Sequence, residues 1–156
     1  MKNPHRAKSA IAGLCLAVAA MAGWVLPATA QQQEVALVKV VDGEAFAQRA
    51  EQRAQLDVGE AIYAMDVIET AQGSVGLTFK DGTRISIGPN SRVQFTEFVF
   101  VPAEGRLSFI VELFRGTMQY ISGVIAKLSP DAVKVKTPVA TVAVRGTRFL
   151  AEVAGD

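Results

Sequence analysis

Two side chains in this 156-residue sequence have chemistry no others share: His5, its only imidazole, and Cys15, its only thiol. Both lie within the first thirty residues, so the remaining chain has no Ser–His or Cys–His pair and no imidazole or thiolate ligand for a metal. Neither G-x-S-x-G nor S-x-x-K occurs after residue 30. Carboxylates remain. A glycosidase-type pair requires two carboxyls about 5 to 9.5 Å apart with one of them held protonated. Glu97, Glu104 and Glu112 are available, but each falls where strand alternation or a turn already accounts for a solvated acid. A carboxylate-based hydrolase is therefore the last alternative, and the expectation is a protein without catalytic residues, cofactor or metal.

Recognition chemistry has better candidates. In Arg145-Gly146-Thr147-Arg148 a glycine interrupts a strand-like pattern, which suggests a bulge or bend. The two flanking guanidiniums there could serve an acidic partner. Phe98-Val99-Phe100-Val101 places apolar groups on both faces of one strand, so one face must find cover from a second layer or a partner. Arg145, Gly146, Thr147, Arg148, Phe98 and Phe100 are thus the expected partner-binding residues. The wider cluster of Phe95, Phe98, Phe100, Phe109 and Phe114 reads first as core, since burying each ring is favourable by roughly 1.5 to 3 kcal/mol.

The N-terminus sets where this chemistry would operate. Lys2, Arg6 and Lys8 precede an apolar run over residues 10–26, and Ala28 and Ala30 supply an A-x-A cleavage pattern. That order is the signature of a secretory signal peptide. The expectation is cleavage after residue 30, export to the periplasm or beyond, and membrane contact through the leader alone. Cleavage would remove His5 and Cys15 and leave residues 31–156, one domain held by its core without a disulfide. Subtracting the three basic residues of the leader leaves 13 Lys and Arg against 15 Asp and Glu, a net charge of −2. With the two signs interleaved along the chain, nucleic-acid binding is not expected.

From residue 34 onward, short apolar alternations are punctuated by Gly, Pro, Asn and Asp, the period-2 pattern of strands covered on one face. Strands are expected over residues 34–41, on both sides of Asp81-Gly82, and around Phe95. Further strands are expected over residues 107–114, 118–125, 133–136, 139–144 and 149–153. Residues 44–56 are rich in helix formers and read as either a strand pair or a partly helical connection. The fold expected is an all-β single domain of short antiparallel strands, arranged as a sandwich or an irregular β-solenoid.

These residues resemble a known family, the FecR domain. The resemblance rests on Gly59 with Ile62, Asp66-Val67-Ile68-Glu69-Thr70, the block from Ser74 through Asp81-Gly82-Thr83 to Pro89 and Ser91, Gly116, and Thr137-Pro138-Val139-Ala140 through Arg145-Gly146-Thr147-Arg148-Phe149. It spans roughly residues 35–153. It implies an all-β periplasmic domain that senses or binds a protein partner or ligand, in signalling or in assembly of a surface structure. In the family's sensor-regulators that domain follows an anti-sigma segment and a membrane span, whereas this chain is expected to be a stand-alone exported member. An envelope protein is the expected partner, with glycan or peptidoglycan as the alternative.

Overall fold

A computed structural model describes residues 32–145 and 147–155; the expected leader, with His5 and Cys15, and Gly146 lie outside the described residues. The all-β expectation holds. Twelve strands form one continuous sheet: β1 Glu34–Asp42, β2 Ala45–Arg49, β3 Gln52–Gln55, β4 Ala61–Tyr63, β5 Val67–Thr70, β6 Ser74–Phe79, β7 Arg84–Ile87, β8 Arg92–Val101, β9 Arg106–Ile121, β10 Val133–Lys136, β11 Thr141–Ala143 and β12 Arg148–Val153. The main path runs β3-β2-β5-β8-β9-β7-β6-β1-β4, with β10 and β12 on the other side of β9 and β11 beyond β10.

The sheet curls until its two flanks share a core, so the architecture is closer to a layered arrangement than to a coil of stacked repeats. Phe79, on β6 in one flank, meets Phe95 and Phe98 of β8 and Phe109 of β9 in the other, with ring centroids 4.7 to 5.6 Å apart. Edge-to-face and tilted rings at such separations contribute beyond area burial alone. Around them pack fully buried Ile62, Ile68, Leu77, Ile85, Leu113 and Tyr120, from strands of both flanks.

β9 links the flanks. Its first half pairs with β8 and its second half with β7. The sequence reading stopped this strand at Arg115-Gly116. The chain instead continues through, because Gly116 takes φ 84°, a left-handed conformation that costs glycine little. The register against β8 slips there, from Val93 opposite Leu113 to Arg92 opposite Arg115. Phe114 is the extra residue, and the slip turns it outward, which corrects its expected place in the core. A second slip lies at Thr96, where Phe95 faces Val111 and Glu97 faces Ile110. It lets Phe95 and Phe98, three apart, both point inward.

One further expectation needs correction, and one open alternative is decided. The strand expected over residues 118–125 ends at Ile121, and a short helix α1, Val124–Leu128, follows with a 3-10 turn at Pro130–Ala132. That excursion returns the chain so that β10 runs parallel to β9, the one parallel pairing among antiparallel ones. A parallel neighbour requires a crossover of about a dozen residues, usually helical, and residues 122–132 provide it. The ambiguous stretch 44–56 is a strand pair, β2 with β3, turning at Ala50 with φ 51°. Packing overrides its helix propensity, since β2 is hydrogen-bonded on both sides and buries Ala45 and Ala47.

Candidate functional site

Several of the residues that carry the family resemblance, Asp66, Thr70, Asp81, Thr83, Ser91 and Gly116, meet in three polar clusters that are occupied by the fold. In the first, the Thr70 hydroxyl donates to the Gly88 carbonyl at 2.6 Å and accepts from the Ser91 N–H at 3.0 Å. The Ser91 hydroxyl in turn accepts from the Thr117 N–H at 2.9 Å, directly beneath Gly116. A Cβ on Gly116 would lie 2.5 Å from the Ser91 Cα, so only glycine allows that approach. In the second, the buried Asp66 carboxylate takes both ends of the Arg49 guanidinium at 2.8 and 2.7 Å, plus the Tyr63 N–H at 2.9 Å. The hydrogen bond to Asp66 raises the Arg49 pKa further above its ordinary value. Arg49 also lies over the Tyr63 ring at 3.9 Å, beside a cleft of about 260 Å³. Two of the five Arg49 N–H donors are engaged by this carboxylate.

The third cluster was missed as such, because Asp81-Gly82-Thr83 reads only as a hairpin turn. Asp81 and Thr83 are buried, and the Asp81 carboxylate accepts from the Thr83 N–H, the Thr83 hydroxyl and the Ile125 N–H. The Thr83 hydroxyl accepts from the Gly123 N–H at 3.1 Å, and the Asp81 carbonyl from the Val124 N–H at 2.8 Å. The turn therefore anchors the start of α1, forty residues downstream.

The expected site residues separate into two groups. Phe98, only 3% exposed, belongs to the aromatic core, and Phe100 packs against that core from the same strand. Phe98 thus faces the interior, because the slip at Thr96 brings this side of β8 into register with it, and Phe100 is partly buried. Arg145 and Thr147 lie elsewhere, on the connection from β11 to β12, and Arg148 opens β12. All three are exposed. Arg145 reaches Asp131 at 2.9 Å, but with side chains 76% and 75% exposed that pair contributes little and leaves the guanidinium accessible. The Thr147 carbonyl accepts from the Ser122 N–H at 2.9 Å, tying the bend to the end of β9. A groove of about 400 Å³ runs between this bend and α1, lined by Ala126, Lys127, Pro130, Asp131 and Arg145 among others.

Around the bend lie two open sheet edges. Among the described residues, β11 pairs with β10 alone and β12 with β9 alone. Val139, 93% exposed, tips the β10–β11 turn, which is closed by the Thr137 N–H on the Ala140 carbonyl at 2.7 Å. Val142 on β11 and Leu150 on β12 are also exposed. A second groove of about 690 Å³ separates the Pro138 turn from the end of β12, with the outward-turned Phe114 in its wall. The other edges differ. β3 is exposed throughout and carries Gln52, Arg53 and Gln55, polar residues that discourage pairing, while β4 has three residues. These open apolar edges went unnoticed in the sequence; the signal was the alternation Arg148-Phe149-Leu150-Ala151-Glu152-Val153, which puts one apolar residue between opposite charges on a single face.

The carboxylates considered for catalysis sit on the surface: Glu97 faces solvent, Glu104 pairs with Arg106 at 3.0 Å and Glu112 with Lys136 at 3.4 Å. Among the described residues, no group of three Asp, Glu, His or Cys side chains is placed to hold a metal ion, and no helix is long and apolar enough to cross a membrane. A family model described as FecR protein matches residues 66–156, against the span of 35–153 expected from the resemblance. No curated protein and no solved structure matches the chain.

Proposed function

This chain belongs to the FecR family, whose domain is typically a non-catalytic sensor or binding module, and from that premise we propose that it recognises a protein of the cell envelope through the open edge at β11 and the neighbouring Arg145 bend. Residues 1–30 would direct export and be removed, so recognition would take place in the periplasm or outside the cell, in signalling or in assembly of a surface structure.

One observation carries the reading. The motif residues Asp66, Thr70, Asp81, Thr83, Ser91 and Gly116 are engaged in holding the sheet together, whereas the closing motif and β12 lie along strand edges that are unpaired among the described residues and studded with exposed valine and leucine. An edge of this kind accepts an additional strand: its free N–H and C=O groups supply affinity, and alternate side chains supply selectivity. Thr141 and Ala143 would offer the backbone groups, since Val142 is turned toward β10 by the ladder that the Val144 N–H continues onto the Val133 carbonyl. Arg145, held only by a solvent-exposed pair, would add a charged contact at the end of that strand.

A sugar-binding platform would instead use exposed aromatic faces. Here Phe95, Phe98 and Phe109 have theirs inside the core, which favours the protein partner over glycan or peptidoglycan. The test is capture from an envelope extract with the chain isolated after export, alongside cosedimentation with purified peptidoglycan. Capture of a defined protein, weakened at least tenfold by V142K with R145A while the circular dichroism of the domain is unchanged, is the expected result. Cosedimentation with peptidoglycan and no protein captured would overturn the reading.

A further inference from the structure

The free edge of β12 is complementary to itself. We propose that two copies of this chain associate by pairing their β12 strands antiparallel about a two-fold axis through Leu150. This goes beyond the recognition proposed at β11, and uses a different strand.

The backbone determines which residues are available. β12 lies antiparallel to β9 without a register slip, Arg148 opposite Ile121 through Val153 opposite Gly116. The Ser122 N–H donates to the Thr147 carbonyl, so position 147 directs its peptide groups toward β9. In an antiparallel ladder that direction alternates residue by residue. Phe149, Ala151 and Val153 therefore bond to β9, while Arg148, Leu150 and Glu152 turn their N–H and C=O groups to the open side, where no strand lies among the described residues.

The same three residues are the exposed ones of the strand; Phe149, Ala151 and Val153 pack inward against the core. A two-fold axis at Leu150 sets Leu150 against its own counterpart. It also sets Arg148 against Glu152 of the second copy and Glu152 against Arg148. Each of these is a pair whose peptide groups both face the partner strand, so the register that matches charges is also the register that closes hydrogen bonds. Shifting by one residue would oppose outward groups to inward ones, and shifting by two would remove both charge matches. Leu150, 67% exposed on each copy, would become covered at the centre. Toward an unrelated strand the two charges act as guards, because an arbitrary partner would not match them. Isologous pairing of this kind closes at two copies and does not propagate along that edge.

The test exploits the swap of charges. The chain isolated after export is followed by sedimentation velocity from about 5 to 500 μM, the range in which an interface of this small size would associate. The wild type should form a dimer as concentration rises. R148E places acids on both sides of Leu150 and E152R places bases there, so each alone should weaken association by roughly tenfold or more, two cross-strand pairs being affected at once. Mixing R148E with E152R restores both pairs and should recover dimer, as should the R148E/E152R double variant; neither recovery follows from a variant that fails to fold. A wild type that stays monomeric, single variants that associate as it does, or loss of association without recovery in the mixture would each overturn the proposal. If the wild type is monomeric and R148E loses capture of an envelope protein, the edge belongs to that protein and the dimer is excluded, while recognition at β11 is still judged by V142K.

Discussion

The carboxylate of Asp81 accepts the backbone N–H of Ile125 at 3.2 Å, joining a β-turn to the first turn of a helix 44 residues later in the chain. Asp81 also holds both polar groups of Thr83. Its replacement by alanine would leave buried donors without an acceptor, at a cost of about 2 to 3 kcal/mol. D81A should lower the urea midpoint accordingly and speed hydrogen exchange at Val124 and Ile125 ahead of global unfolding. Exchange at those two amides that still tracks the core strands would show that the contact does not anchor the helix.

Gly116 gives a second expectation. Alanine there would meet the Ser91 backbone and would have to hold a left-handed φ in mid-strand. Strain and displacement together should destabilise by about 3 kcal/mol. G116A read by chemical denaturation should show that loss, and pairing it with Ser91→Gly should return part of it, since the nearest clash involves the Ser91 side chain. A neutral G116A would mean that β9 does not bend there as described.

The Arg49–Asp66 pair can be separated from its surroundings by a double-mutant cycle. Asp66 is buried, but the Arg49 side chain is 35% exposed, so the penalty for D66A should fall below that of a wholly buried pair, at about 2 to 3 kcal/mol. R49A should cost less, and the double variant less than the sum of the two. Strict additivity would show that the two groups do not act on one another.

Tyr120 supplies a pH dependence. Burial raises the pKa of its phenol above the ordinary value. The folded chain thus keeps this proton at pH values where the unfolded chain releases it. The associated stability is present in full below about pH 10, the unfolded tyrosine value, and is lost as pH rises through the folded value. Denaturation midpoints of wild type and Y120F should therefore run parallel near neutrality, with the wild type falling more steeply above about pH 10. Parallel curves throughout the alkaline range would be the contrary result.

Much of the fold was legible because alternation reports burial directly. Val133 and Val135 are buried and Lys134 is exposed between them. The departures share one cause, a single extra residue that reverses the phase of a strand. Thr96 and Phe114 are such residues, and nothing local distinguishes them from their neighbours, since the slip is defined only against the strand opposite. Parallel β10 was hidden for the same reason, because direction is a property of pairing. The bend at Arg145 was legible as a break in pattern. That β11 and β12 end as open edges was not, because a vacancy beside a strand depends on every other strand having been placed.

The shared strand β9 also dictates an order of assembly. Its first half forms a hairpin with β8 across a four-residue connection, and nothing distant is required for that step. Its second half must await β12, which follows every other described strand in chain order. Local hairpins close within microseconds, whereas pairings remote in sequence set the slow rate of β proteins. The two flanks therefore cannot mature as separate pieces, and a nascent chain halted before residue 148 leaves the second half of β9 without the neighbour that β12 supplies.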